Sequence, residues 1–574
     1  MRRVLIYIFS LYTIISLLFF WPLALHAGNS VVDAGDPLFY AWNLVHNWQS
    51  FTHGFRHLLD TNIYFPTTNT LALSDTLFLQ TALTAPILWI SNNPVLAENI
   101  YILLTFPLAG LGMFLLARRI TKQNLPSLLA GLFYAFSLPR LGQIAHLPMI
   151  SSQWLPYLFY FLLRFLDDGK RANAFLFSIF FIANAASSVY LGIFASVGVL
   201  IVGGIALALP RQQKKSVNLN VYVKSVLLFV IPVITILIVL HFPYIRLKAE
   251  HPEIQRSLAE ASARGAYQED YTAVTKNTLF TGKILPTKEG ERALYLTSTV
   301  IVLALLSWFV IPKKLRTIAI AFGGLAIISF LLSFGPERPF TVGPFDTGYI
   351  RMPYYYAYKL FPPLQIIRVP SRFSVLTALS LSLLAAMTLT YAKFFKKYPW
   401  VSLVTGMLFL LEVWQAPVRT VIVSSYRQAP PVYQWLKNQG GDGPIIELPI
   451  AAIETGSTPI EQQVEKHYDA LTQNDPLATE TYRVYFAGYH LKTTINGYSG
   501  YIPQSYHDAV IALDSFPSEY SISFLKQKRI DYIIVHSRQY DDKKWTSLRE
   551  QLSQSRKLRL AVQFDQDFVY TITQ

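Results

Sequence analysis

The sequence predicts a polytopic α-helical membrane region over residues 1–417, of about eleven spans, followed by a soluble α/β domain over residues 418–574. Three observations predict it. Charged residues make up 14% of the chain, against roughly 25% in an ordinary soluble domain, and the deficit lies in the first 417 residues. Those residues alternate apolar runs with short polar loops, and Lys/Arg clusters fall at the ends of alternate runs, as membrane topology demands. From residue 418 the composition becomes that of a soluble domain.

The first element is the apolar stretch Val4 to Ala24 behind Arg2-Arg3. It is long enough to span and longer than a cleaved signal core, and Leu25-His26-Ala27 is a poor small-x-small cleavage site. It reads as an uncleaved span with a cytoplasmic N-terminus. Further spans are expected at 97–117, 126–140, 147–166, 173–188, 190–209, 224–241, 294–311, 316–333, 372–390 and 399–416. With the first at 4–26, this set puts Arg2-Arg3, Arg118-Arg119-Lys122, Lys170-Arg171, Arg211-Lys214-Lys215, Lys313-Lys314-Arg316 and Lys393-Lys396-Lys397 all in the cytoplasm.

The apolar segment Leu77 to Ile90 is left out of that set. As a span it would reverse Arg118-Arg119, and it carries Gln80 and Pro86 and stops at Ser91-Asn92-Asn93-Pro94. An interfacial or re-entrant helix fits it better. Three large outer loops follow, at 27–96, 242–293 and 334–371, with the C-terminal domain extracytoplasmic as well.

Several functions are excluded or disfavoured by composition. The formal net charge of +15 invites a nucleic-acid reading, but much of the Lys and Arg sits at the ends of apolar runs, where topology explains it, so no nucleic-acid partner is expected. With no cysteine, disulfides, thiolate metal sites and cysteine nucleophiles are ruled out.

On the outer face, the first loop opens Val31-Val32-Asp33-Ala34-Gly35-Asp36-Pro37-Leu38. Asp36 before Pro37 reads as N-cap and N1 of a helix over 37–50, whose Leu38, Trp42, Val45 and Trp48 recur at helical spacing and suit a helix lying on the membrane surface. The same Asp36 is a carboxylate held where the first span leaves the bilayer, a place for a general base. Capping and catalysis are compatible, because a cap does not consume both oxygens.

Here the chain resembles the GT-C superfamily of integral-membrane glycosyltransferases that use polyprenyl-phosphate sugars. The likeness is carried by the order of span, acidic first-loop motif, surface helix and re-entrant helix, by Gly35-Asp36-Pro37, and by Leu116-Ala117-Arg118-Arg119 ending the second span. It covers about residues 1–240. A second likeness, to bacterial GT-C-like membrane proteins with an outer C-terminal domain, is carried by Gly35-Asp36-Pro37-Leu38, Phe133-Tyr134-Ala135-Phe136-Ser137, Gln153-Trp154-Leu155-Pro156, Arg368-Val369-Pro370-Ser371-Arg372-Phe373 and Asn496-Gly497-Tyr498-Ser499-Gly500. The resemblance implies that Asp36 is the catalytic carboxylate. Where many members carry a second acidic residue directly after it, Pro37 stands here, and Asp33 is the carboxylate available instead. That departure weakens the case for a carboxylate-bound metal, and no cofactor is indicated.

Arg368 and Arg372 flank the start of the span at 372–390, where free backbone N–H groups and guanidinium forks suit a lipid phosphate. Interfacial snorkelling explains them equally well. Arg351, among Tyr354, Tyr355, Tyr356 and Tyr358, is a further candidate for donor-phosphate binding, and the tyrosines also fit an aromatic belt. Arg140 and His146, in the loop 139–148, are candidates for the same role, against structural hydrogen bonding as the plainer explanation. The loop 242–293 is mixed in charge, with helical periodicity to about residue 264.

In the C-terminal domain, helices are expected from Pro430-Pro431 to Gly440, at 503–514 and at 517–528. Strands are expected at 444–449 and 531–535, with a closing hairpin of 558–564 and 567–572. Phosphate loop, serine elbow and metal cluster are all missing, and His467, His490, His507 and His536 read as structural. The stretch Tyr482–Tyr501 suits either glycan stacking or tight turns.

The leading expectation is an extracytoplasmic, inverting glycosyltransferase of the cell membrane, moving a sugar from a polyprenyl-phosphate donor to an envelope lipid, glycan or protein. Two alternatives stand beside it: a transporter or flippase of lipid-linked saccharides, disfavoured by the few charges inside the spans, and a non-catalytic envelope scaffold.

Overall fold

A computed structural model describes residues 2–209, 219–251, 256–288, 290–342, 345–415, 417–441, 443–451 and 476–573. Arg211, Lys214, Lys215 and His467, singled out above, lie outside the described residues. The fold is mostly helical and divides into two compact units, each assembled from separated stretches. One comprises Met1–Leu25, Ile100–His241 and Gln255–Arg419; the other comprises His26–Asn99, Phe242–Ile254 and Thr420–Gln574. The boundary expected at 417/418 lies beside the break at 419/420, but the first outer loop groups with the C-terminal residues rather than with the spans. The reason is a shared apolar core, in which Val31, Leu38, Val45 and Val95 pack with Val423, Tyr426, Val432 and Tyr485.

Among the described residues five helices are long and apolar enough to cross a membrane: Pro94–Thr121, Val189–Ala208, Leu228–Glu250, Lys313–Ser333 and Pro370–Tyr391. Shorter apolar helices accompany them at Arg3–Phe19, Phe78–Ser91, Ser298–Val310 and Pro399–Val413. The chain is therefore an integral membrane protein, although the spans expected at 126–140 and 147–166 differ in form. The first is the 12-residue helix Asn124–Ala135. The second breaks into Leu147–Ile150, a 3-10 turn at Ser152–Trp154 and Leu155–Asp168, since Pro148 and Pro156 each restart a helix at its first turns.

In the helical unit, Ser374–Tyr391 packs against Ser298–Val310, Arg316–Ser333 and Asn124–Ala135. Its apolar window is 94% buried, whereas that of Leu228–Glu250 is 6% buried, so the latter's apolar surface is left for lipid. Arg119 pairs with Asp167, both at helix ends expected inside. Glu291 meets His146 and Arg372, all in loops expected outside. The loop 334–371 also forms a β-hairpin, Glu337–Val342 with Phe345–Arg351, that the sequence did not suggest.

In the second unit, the helix expected at 37–50 is Asp36–Thr52, and it is buried on nearly every face. Asp36 is its first residue and Gly35 its N-cap, with no side-chain cap bond, which corrects the N-cap reading. The first loop is tied down by Ser30–Val31, which pairs antiparallel with Val421–Ile422. Further on, a four-stranded sheet runs in the order Ile445–Leu448, Tyr532–His536, Asp567–Ile572, Leu558–Phe564. Its first pair is parallel and the others antiparallel. Helices Pro431–Lys437, Gln504–Leu513 and Glu519–Gln527 fall where expected, and Pro476–His490 and Asp542–Gln554 are additional.

Candidate functional site

Each unit gathers a cluster of the residues singled out in the sequence. In the second unit the cluster centres on Asp36. The Gly35 N–H donates to Asp33 Oδ1 at 2.7 Å, so Asp33 closes the turn that delivers Asp36 to the helix start. A Cβ on Gly35 would come within 2.9 Å of Asp33 Oδ1 and 3.1 Å of the Leu477 side chain, so both side chains would have to shift. Asp33 is thus engaged through Oδ1 as an acceptor for a backbone N–H two residues on.

The Asp36 carboxylate is half-buried and held by two phenols. The Tyr498 hydroxyl donates to Oδ1, and Tyr40, one helical turn along, donates to Oδ2 at 3.4 Å. The ring of Phe39 meets that of Tyr498 edge-on, with centroids 5.5 Å apart, which fixes the phenol's direction. Glu98 is the other acid of this neighbourhood: it is 1% exposed, neither carboxyl oxygen has a hydrogen-bond partner among the described residues, and the charge of Asp36 acts on it. The signal for Glu98 was a lone acid at the mouth of an apolar run. Tyr498 lay within a segment already noted, but nothing local tied it to Asp36.

In the helical unit the cluster is ionic. Arg372 Nε donates to Glu291 Oε2 at 2.8 Å, and its guanidinium lies 5.0 Å from the centroid of the Tyr190 ring. Arg368 Nε stands 2.9 Å from Glu260 Oε1 without its N–H aimed at that oxygen, an ion pair rather than a hydrogen bond. Arg256 donates to the same Glu260 oxygen at 2.8 Å. The Tyr190 hydroxyl accepts from the backbone N–H groups of Arg368 and Val369 at 2.8 and 3.2 Å, which pins this segment ahead of the span. His146 Nε2 lies 4.0 Å from Glu291 Oε1.

The electrostatics show an excess of cations. Burial alone would raise the Glu291 carboxyl, but Arg372, His146 and Arg264 hold it down at about 2. Burial lowers Arg368, and the charges of Arg264 and Arg256 lower it further. Four guanidiniums thus answer to two carboxylates in a partly dehydrated place, a setting that an incoming anion would relieve.

Arg140 and Arg351 are placed differently. Arg140 is fully buried, and its three nitrogens donate to Ser152 Oγ at 2.9 Å and to the carbonyls of Ala135 and Ile150 at 2.8 and 3.0 Å. It braces its own loop with all three nitrogens. Arg351 is exposed and stacks 4.6 Å over the Tyr355 ring, which Lys359 also approaches at 4.4 Å. Among the described residues no group of three or more His, Asp or Glu side chains converges as a metal ion would need.

No family model and no curated protein matches the chain. Among solved structures it is similar to the Archaeoglobus fulgidus oligosaccharyltransferase tethered by a disulfide to an acceptor peptide containing the NVT sequon, at 11% identity and a TM-score of 0.45, over 93% of this chain and 69% of that one. It is also similar to ArnT from Cupriavidus metallidurans in the apo state, at 11% identity and a TM-score of 0.37, over 98% of this chain and 97% of that one. Likenesses this distant carry no chemistry to this chain, whose functional reading rests on its own residues.

Proposed function

We propose that the chain is a membrane glycosyltransferase of the GT-C type that transfers a sugar from a polyprenyl-phosphate donor to an acceptor hydroxyl of the cell envelope, on the extracytoplasmic face. The observation that carries the reading is the Asp36 carboxylate, half-buried at a helix start and oriented by the hydroxyls of Tyr498 and Tyr40. In this reading Asp36 takes the acceptor's hydroxyl proton as the acceptor oxygen attacks C1 of the sugar. The C1–O bond to the phosphate breaks, its electron pair leaves with the phosphate, and direct displacement inverts the anomeric centre. Within the helical unit, Arg368 and Arg372 are the groups suited to binding a lipid phosphate, because they belong to a cation-rich, partly dehydrated cluster.

The test is Asp36→Asn in the full-length protein, assayed for sugar transfer from a panel of polyprenyl-phosphate sugars. Transfer is expected to fall by about 10²–10⁴-fold, the usual worth of a general base, while thermal unfolding and monodispersity stay near wild type. Full transfer by that variant sinks the assignment.

A further inference from the structure

We propose that Tyr498 is a positioning residue for Asp36, so that the C-terminal part of the chain supplies a member of the reaction site. The inference rests on Asp36 acting as the base. A carboxylate at a helix start can rotate about its side-chain bonds, and a base that must meet one acceptor proton gains from a fixed direction. Tyr498 provides that direction by donating to one oxygen, Oδ1, while Tyr40 donates to Oδ2 over a longer 3.4 Å.

Tyr498 is itself held by a chain of bonds that runs back into the C-terminal sheet. Two residues before it, Asn496 is fully buried. Asn496 Oδ1 accepts from the Glu447 N–H at 2.8 Å, and its Nδ2 donates to the Glu447 carbonyl at 3.1 Å and to both Glu480 oxygens at 3.2 Å. The Asn496 carbonyl accepts from the Tyr64 N–H at 3.2 Å, joining this loop to the first-loop residues that carry Asp36. The intervening Gly497 packs closely against the Tyr64 ring, where an added Cβ would come within 2.5 Å of the ring carbons. Beyond Tyr498 the Tyr501 N–H donates to the Leu73 carbonyl at 3.1 Å, so the loop is anchored on both flanks of Tyr498, more than a merely space-filling phenol requires.

The experiment compares Tyr498→Phe with Tyr506→Phe, which deletes a buried hydroxyl that donates to the Ala451 carbonyl. Water serves as acceptor, and sugar released from a panel of short-chain polyprenyl-phosphate sugars is counted. Y498F is expected to lower kcat about 10–100-fold with KM within about twofold, the size of a misplaced catalytic group. Y506F, which loses one buried hydrogen bond, is expected to keep kcat within about twofold of wild type. A Y498F enzyme with wild-type kcat, beside an inactive Asp36→Asn, overturns this inference and leaves the role of Asp36 standing; an active Asp36→Asn removes that role itself. A second measurement needs no variant. Carbodiimide coupling of glycine ethyl ester to the wild-type chain, read by peptide mass spectrometry, is expected to modify exposed Asp33 several-fold faster than Asp36, and equal rates count against the clamp.

Discussion

Arg372 is held from two sides, by the Glu291 carboxylate and by the face of Tyr190. Such a guanidinium is aimed before any ligand arrives, and lysine cannot reproduce the planar fork. Replacing Arg372 or Arg368 by Gln is predicted to raise KM for a lipid-phosphate donor and to lower kcat, together costing about 10–100-fold in kcat/KM, the worth of one charge-assisted hydrogen bond. Initial rates over a donor series check this, and unchanged rates in both variants would place the phosphate elsewhere. Glu291 adds a pH signature. Its folded value of about 2 lies below the ordinary 4.5, so its contribution to stability is complete above pH 4.5 and lost as the pH falls toward 2. Glu291→Gln should remove that part of the acid loss in an unfolding titration.

At the scale of elements, the helices near the first span meet through glycine. A Cβ on Gly131 would fall 2.0 Å from the Tyr12 hydroxyl and 2.5 Å from the Gly110 carbonyl, at a point where Tyr12 already donates to the Leu128 carbonyl at 2.7 Å. Helices Arg2–Phe19, Pro94–Thr121 and Asn124–Ala135 therefore approach as closely as small residues allow, the packing that replaces hydrophobic drive within lipid. Gly131→Ala is predicted to destabilise the protein by roughly 1–3 kcal/mol through overpacking against backbone. Detergent thermal unfolding measures it; a neutral result would mean that the helices separate at little cost.

At the scale of the whole fold, the C-terminal sheet is built over a buried ionic network that sets its pH range. Burial disfavours the His536 imidazolium, but Asp567 Oδ1 and Glu447 Oε2, each 2.8 Å away, raise it above its usual value. Its contribution is present below pH 6.5 and is lost as the pH rises through the folded value. Burial opposes Glu447 ionisation, yet His536 and Arg483 hold its carboxyl low, so that contribution is lost toward acid. Burial depresses His490, stacked on Tyr433, to about 4, and this neutral imidazole makes the fold less stable as the pH falls from 6.5 toward 4. Thermal unfolding against pH is predicted to show a maximum near neutrality. His490→Gln should flatten the acid side and His536→Gln the alkaline side; a profile unchanged by both would show that the network does not govern stability.

How much was legible in the sequence follows the range of the interactions involved. The membrane class was readable, because apolar run length and flanking charge act locally along the chain. The strand Ile445–Leu448 and the closing hairpin were readable from period and turn signals. Asp36 was legible as a carboxylate at a helix start, since Gly35 and Pro37 mark that place by themselves. The burial of its helix was not, because Leu38 and Val45 are covered by Val423, Val432 and Tyr485, residues several hundred positions away. Nor were its partner Tyr498, the carboxylates that hold Arg368 and Arg372, or the full internal satisfaction of Arg140. The sequence by itself determined which residue types stand where the chain leaves the membrane. Only the tertiary structure decided which of them are oriented or left with charge to spare, because hydrogen bonds and ion pairs depend on distances that spacing along the chain does not set.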